Sequence, residues 1–318
     1  MNLLKTLILF LLTAVVFTSC QKVIEFNGEI TEPIVTVNSL VTPDSVVSAQ
    51  VSLSRFFLSN DKVYNIIDNA QANLFVNGTL KETLTYKSNG VYVGTYKPVA
   101  GDSLSLLIKV PGKKDVTCGT TQKSAVTISF SLRDTSTVAT GKRTPIIAPK
   151  ISKDTIGIGY EYKTNCVLHL TDYGAEQNFY RLVVTTTTLG DTIKYNYSFN
   201  FDDIVSGNTN SFGPPTSLTS NKYNIFDNLL FSGKEYPLKF SVLYNKNMFF
   251  PGYEKTPNKE EVTINLQKIS RSYYLYLQTR VSTNTRNFFA EPVQVYSNVD
   301  GGLGIMGSYT NSVISFTL

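Results

Sequence analysis

Apolar residues recur at every second position along most of the chain. Val35 and Val37 alternate with Thr36 and Asn38, and Val47, Ala49, Val51 and Leu53 alternate with Ser48, Gln50, Ser52 and Ser54. A period of two turns one side of an extended chain toward a core and the other toward water, so these segments read as half-buried strands. Asn77-Gly78, following Leu74–Val76, is a two-residue hairpin signal, and Ser88-Asn89-Gly90 turns the chain again before Val91 and Val93. With Leu104, Leu106, Ile108 and Val110 closing the set, the pattern predicts a β-sandwich of about seven short strands over residues 33–122.

Residues 123–318 form a second β-rich region. Val126, Ile128, Phe130 and Leu132 alternate with polar residues, as do Ile156, Ile158, Tyr160 and Tyr162, then Cys166, Leu168 and Leu170. Further strands are expected over 180–186, 192–199, 238–244, 262–266 and 293–299. The polar stretches 133–153 and 202–220 read as loops, the second long enough to suggest either a functional role or disorder. A helical period appears at Ile269, Tyr273, Tyr276, Leu277 and Arg280, with Ser270 placed to cap it, and predicts a helix packed across a sheet. Asp300-Gly301-Gly302-Leu303-Gly304 reads as a tight turn between two strands. The expected fold is all-β: two β-sandwich-like domains with one short packing helix near the C-terminus.

The N-terminus changes the setting of that fold. Lys5 precedes an apolar run through Phe17, and small Thr18 and Ser19 lead into Cys20. Spanning a bilayer takes roughly 20 apolar residues, so residues 1–19 read as a lipoprotein export signal and not a membrane helix. Residues 20–32 become a tether lipidated at Cys20. Each buried methylene contributes about 0.8 kcal/mol, which makes anchoring by three acyl chains effectively permanent. Gln21, in place of a retaining Asp, favours the outer membrane, and Glu25 alone leaves cell-surface and periplasmic orientations open. A lipidated N-terminus and a polar tether also argue against a membrane β-barrel.

Charge and reactive residues narrow the function. Without Lys5 the 29 basic side chains fall to 28, against 24 acidic ones, and they form no stripe, which excludes a nucleic-acid surface. Cys118 and Cys166 could form a disulfide or stand as two buried thiols. His169 is the single histidine and sits between Leu168 and Leu170, facing away from the apolar row like an ordinary strand residue. One histidine and two separated cysteines make no metal set. Asp172, Glu176, Asp202 and Asp203 are the acids a hydrolase would use, but they fall in turns where Asp commonly caps. Asp300 beside its glycines lacks the other ligands of a calcium loop. No enzyme activity, cofactor or metal is expected. With 19 Tyr, 19 Phe and no Trp, the aromatic residues nearest to strand ends and loops, Tyr195, Tyr197, Tyr223, Phe249, Phe250 and Tyr253, are the candidate ligand or partner contacts.

Two resemblances add to this. Asn69-Ala70, Asn77-Gly78, Gly90-Val91-Tyr92 and Ala100-Gly101 make the first module, expected to be an Ig-like or transthyretin-like β-sandwich, similar to the transthyretin-like or carboxypeptidase-regulatory-like sandwiches. Cys20 with Val23-Ile24, the stretches 33–38, 43–44, 172–180 and 274–277, and above all Glu291–Val293, Tyr296–Asn298 and Gly301–Ile305, resemble an uncharacterised lipoprotein family of Bacteroidota, a domain of unknown function, over essentially the whole mature chain. Met306 stands where that family tends to have Phe. The resemblance implies an outer-membrane lipoprotein, often encoded beside a TonB-dependent receptor, and it implies no catalytic residues. The expected function is a lipid-anchored accessory protein partnering such a receptor in nutrient capture or delivery. The alternative is a structural or adhesive surface lipoprotein whose sandwich domains bind protein or glycan.

Overall fold

A computed structural model describes residues 32–55, 65–132, 138–139, 144–147, 156–172, 174, 176–188, 194–195, 199–200, 205, 223–246, 260–282 and 294–317. The signal, Cys20 and the tether up to residue 31 lie outside the described residues.

The first region folds into β1 (Val35–Val41), β2 (Ser48–Leu53), β3 (Gln71–Val76), β4 (Thr79–Ser88), β5 (Val91–Val93), β6 (Ser103–Lys109) and β7 (Val116–Thr121). Both hairpin signals act as expected. Asn77 and Gly78 take φ of 51° and 80°, and Asn89 and Gly90 take 50° and 75°, the left-handed pairs that turn two strands back on each other. The inward residues of these strands, among them Val37, Val51, Leu74, Leu106 and Ile108, close one aliphatic core. Tyr92 enters it with its hydroxyl satisfied, donating to the Ile67 carbonyl at 3.0 Å and accepting from the Ala70 N–H at 2.9 Å.

The second region contributes β8 (Thr127–Leu132), β9 (Val138–Ala139), β10 (Thr144–Ile147), β11 (Ile156–Thr171), β12 (Phe179–Thr188), β13 (Lys194–Tyr195), β14 (Phe199–Asn200), β15 (Ile225–Asp227), β16 (Glu235–Lys246) and β17 (Glu260–Ile269). A helix, Arg271–Ser282, and strands β18 (Val299–Asp300) and β19 (Leu303–Thr317) complete the chain. Several expectations are corrected. The two segments 156–162 and 166–170 are one 16-residue strand, β11, and β9 and β10 pair with it from inside the stretch read as a loop. The strand expected over 192–199 is two short pieces in different sheets. The strand expected over 293–299 shrinks to β18, because the Asn298 side chain occupies the backbone groups a ladder would use: it bonds the Met306 N–H and carbonyl and the Gly119 carbonyl. Of the loop 202–220, only Val205 is described, and it is buried in the second core.

Among the described residues the molecule is thus largely all-β with one short helix. Its larger sheet has 13 strands among the described residues, in the order β13-β12-β17-β19-β1-β2-β5-β4-β3-β6-β7-β18 with β15 on β12, and curls into a half-barrel. The smaller sheet runs β10-β11-β16-β14, with β8 and β9 also on β11, and packs over β12, β17 and β15 to enclose the second core. β19 joins the two regions. Residues 303–308 pair in parallel with β1, and residues 309–317 pair antiparallel with β17. Hydrogen bonding therefore passes without interruption from the strands of residues 33–122 into those of the C-terminal region.

Candidate functional site

The glycines before β19 let it approach β1. A Cβ on Gly304 would lie 2.0 Å from the Val37 carbonyl oxygen and one on Gly302 2.6 Å from that of Val35, while Gly304 itself takes φ of 114°. Further along, a Cβ on Gly307 would lie 2.8 Å from the Tyr273 Cβ, so glycine there lets the helix rest directly on β19. Ser270 fixes the start of that helix, its Oγ accepting from the Tyr273 N–H at 3.3 Å and from the Ser308 N–H at 3.0 Å. The C-terminal part is held by Thr279, whose Oγ1 donates to the Leu275 carbonyl and accepts from the Tyr296 N–H, each at 2.9 Å.

Laid across the outer face of the sheet, the helix leaves a half-open groove of about 430 Å³ along one flank. Asn38, Ser48, Gln50 and Val91 form its floor, and Tyr273, Tyr276, Leu277 and Arg280 its helical wall. Asn38 on β1 and Gln50 on β2 stand directly opposite each other. Arg280 donates to the Tyr276 hydroxyl at 3.4 Å and lies 5.8 Å from its ring centroid, so each side chain orients the other. Three stretches that carry the family resemblance meet here: Pro33–Asn38 through Asn38, Tyr274–Leu277 through Tyr276 and Leu277, and Gly301–Ile305 through Ile305.

The residues nominated from sequence do not converge on this groove. Tyr223 packs, half-buried, against the cluster of Phe179, Ile225, Ile269 and Tyr274 beneath the helix. Tyr195 lies in β13 opposite Thr186, and Tyr197, Phe249, Phe250 and Tyr253 lie outside the described residues, as do Asp202 and Asp203. The groove's own polar residues carried a signal that went unused. Asn38 and Gln50 are large amides on the outward positions of β1 and β2, and Tyr276 and Arg280 are four apart, hence neighbours on one helix face.

The nominated acids and histidine have other partners. Asp172 is buried and holds the turn before β12, its carboxylate accepting from the side-chain amides of Asn178, at 2.8 Å, and of Asn228. The Asn228 amide also donates to the Glu176 carbonyl at 2.9 Å, while the Glu176 side chain is exposed. His169 faces away from the core, as expected, with Nε2 3.2 Å from the Ser131 Oγ and Nδ1 3.0 Å from Glu235 Oε1. That order of atoms matches a Ser-His-acid triad, but it lies on the open face of a sheet. Strand N–H groups point in the sheet plane toward neighbouring strands, so none is aimed at an oxyanion above Ser131. Asp300 pairs opposite Thr117, and among the described residues no group of three His, Cys, Asp or Glu side chains could hold a metal ion. Cys118 and Cys166 are free thiols in separate cores, and burial pushes each up to about 12. Among the described residues no helix is long and apolar enough to cross a membrane.

Comparison with known proteins defines the class. The chain belongs to the family described as a domain of unknown function, DUF4249, whose profile matches residues 21–315. No curated protein matches it. Among solved structures it is similar to a protein of Corynebacterium diphtheriae described as membrane anchored, at 11% identity and a TM-score of 0.20, over 74% of this chain and 54% of that one. The chain thus spans about half the length of that protein, and a likeness of this degree carries no argument about architecture or role.

Proposed function

We propose that this protein is a non-enzymatic, lipid-anchored accessory protein of a Bacteroidota outer membrane that works with a TonB-dependent receptor in nutrient capture or delivery. The observation that carries the reading is the N-terminal signal ending in Cys20. The family match begins at the next residue, Gln21, which supports reading the first twenty residues as a segment apart from the folded protein. Residues 33–122 and 123–318 then act as two sandwich-like units, each with its own core and sharing β19, a reading supported by the separation of the aliphatic and aromatic clusters. Among the described residues the helix groove offers a small ligand a cavity of about 430 Å³, within the range of about 300–1,000 Å³ usual for such sites. Non-enzymatic action is supported by the structural engagement of Asp172 and by the flat setting of His169.

Gentle solubilisation of the intact lipoprotein from its native membrane, affinity capture and mass spectrometry of its companions test the proposal. A TonB-dependent receptor recovered in stoichiometric amount is the expected result. Recovery of the lipoprotein alone, together with unchanged uptake through every neighbouring receptor in a deletion strain, would overturn it in favour of a structural or adhesive role.

A further inference from the structure

We propose that the helix groove binds a neutral saccharide, with Asn38 and Gln50 reading its hydroxyls and Tyr276 giving it an apolar surface. This rests on the groove being the ligand site of the accessory protein, and it adds the chemical class of the ligand.

The lining selects that class. Asn38 and Gln50 are each both donor and acceptor, and they lie side by side across the β1–β2 pair at the floor of an open cavity. Neither makes a side-chain hydrogen bond within the described protein. A sugar hydroxyl likewise donates and accepts through one oxygen, so two adjacent amides match two neighbouring hydroxyls without demanding a charge. Leu40, Val91, Leu277 and Ile305 supply apolar surface beside them, suited to the C–H faces of a pyranose. Among the described residues no carboxylate lines the groove, so they offer a cationic ligand no counter-ion. Arg280, the one cation among the described lining residues, is turned onto Tyr276, so those residues offer a multiply charged anion a single guanidinium.

A peptide fits less well. Extended peptides add to sheet edges through their backbone, whereas the groove floor is the face of β1 and β2. β1 is flanked by β19 and β2, and β2 by β1 and β5, which leaves side chains alone to make contact.

Titration of the full-length protein in detergent with maltohexaose, cellohexaose, xylohexaose and chitohexaose, followed by calorimetry and saturation-transfer NMR, tests the proposal. Saturation transfer to the ring protons of at least one oligosaccharide is expected. Its Kd should rise about tenfold in the double variant N38A/Q50A, the loss of about two neutral hydrogen bonds. Both residues lie on an outer sheet face, so the variant is expected to keep the wild-type melting temperature, and Asn73→Ala, on β3 away from the groove, should bind as wild type. Absence of binding to all four oligosaccharides overturns the saccharide assignment, and so does a Kd indifferent to N38A/Q50A. Tighter binding of polygalacturonate than of every neutral oligosaccharide overturns it too, in favour of an anion site at Arg280. If a receptor still co-purifies in any of those cases, only the ligand class has failed. If sugar binds and no receptor is found, only the partnership has failed.

Discussion

The core enclosed by β1–β7 is filled with Val, Leu and Ile and has Tyr92 as its one fully buried aromatic residue among those described, whereas the core between β11–β16 and β12–β17 holds Tyr180, Phe226, Phe231 and Phe240. In the second, Tyr180 stacks on Phe226 at 5.3 Å and Phe231 on Tyr236 at 4.5 Å between centroids. Small aliphatic side chains let a strongly curled sheet close on itself, while rings fill the wider space between two facing sheets. The connections differ in the same way. Two hairpins of the first region, β3–β4 and β4–β5, turn at local Asn-Gly pairs, but β11 finds β16, and β12 finds β17, across some seventy to eighty residues of sequence. One strand, β19, has to satisfy both regions, and its glycines and the helix resting on it are the consequence.

The largest effect is expected where that sharing is tightest. Gly304→Val would press a branched side chain onto the Val37 carbonyl at a φ that L residues rarely adopt, at a cost of about 4 kcal/mol or more. Calorimetry should show the melting of both regions shifted down together, because β19 pairs with β1 and β17 alike. If only one region softened, the sheet would not be acting as a unit. Next come the cores themselves. Leu106→Ala in the first and Leu168→Ala in the second each remove a fully buried side chain and should each cost about 2–5 kcal/mol in urea unfolding. The larger loss is expected at whichever site relaxes less around the cavity.

The smallest effect concerns the thiols, the one chemical feature the two cores share. Cys118 and Cys166, each pushed up to about 12 by burial, keep their protons in the folded state well above the ordinary thiol value of about 8.5. Above that value the unfolded chain binds fewer protons than the folded one. Their contribution to stability is therefore complete below about pH 8.5 and declines as pH rises toward 12. Iodoacetamide at mildly alkaline pH should label neither thiol in the native protein and both in denaturant. Native labelling of Cys166 but not Cys118 would show that the second core opens more readily than the first.

The same contrast explains what could be read from sequence. In the first region β1, β2 and β6 follow from the period-two pattern, and Asn77-Gly78 and Asn89-Gly90 fix the turns of the β3–β4 and β4–β5 hairpins, whereas β7, beyond the residues read as closing the set, is not picked out. The helix was equally legible from Ser270 and the spacing of Tyr273 and Leu277. In the second region no turn residue announces that β9 and β10 pair with β11, since that pairing depends on the partner strand and not on local chemistry. Residues 294–298 look extended yet form no strand, because Asn298 takes over the backbone groups by its side chain, a choice invisible to alternation. The groove was illegible for a related reason. Its residues come from β1, β2, β5, the helix and β19, and only the parallel contact of the first described strand with the last brings them together.

The reading of this protein as an anchored accessory of the outer membrane depends above all on Cys20. Intact-mass and N-terminal peptide analysis of the protein extracted from its native envelope tests it directly. A mature chain that begins at Cys20, lacks residues 1–19 and carries the added mass of its acyl chains is the expected result. A chain that retains residues 1–19, or one cleaved elsewhere with an unmodified Cys20, would contradict it.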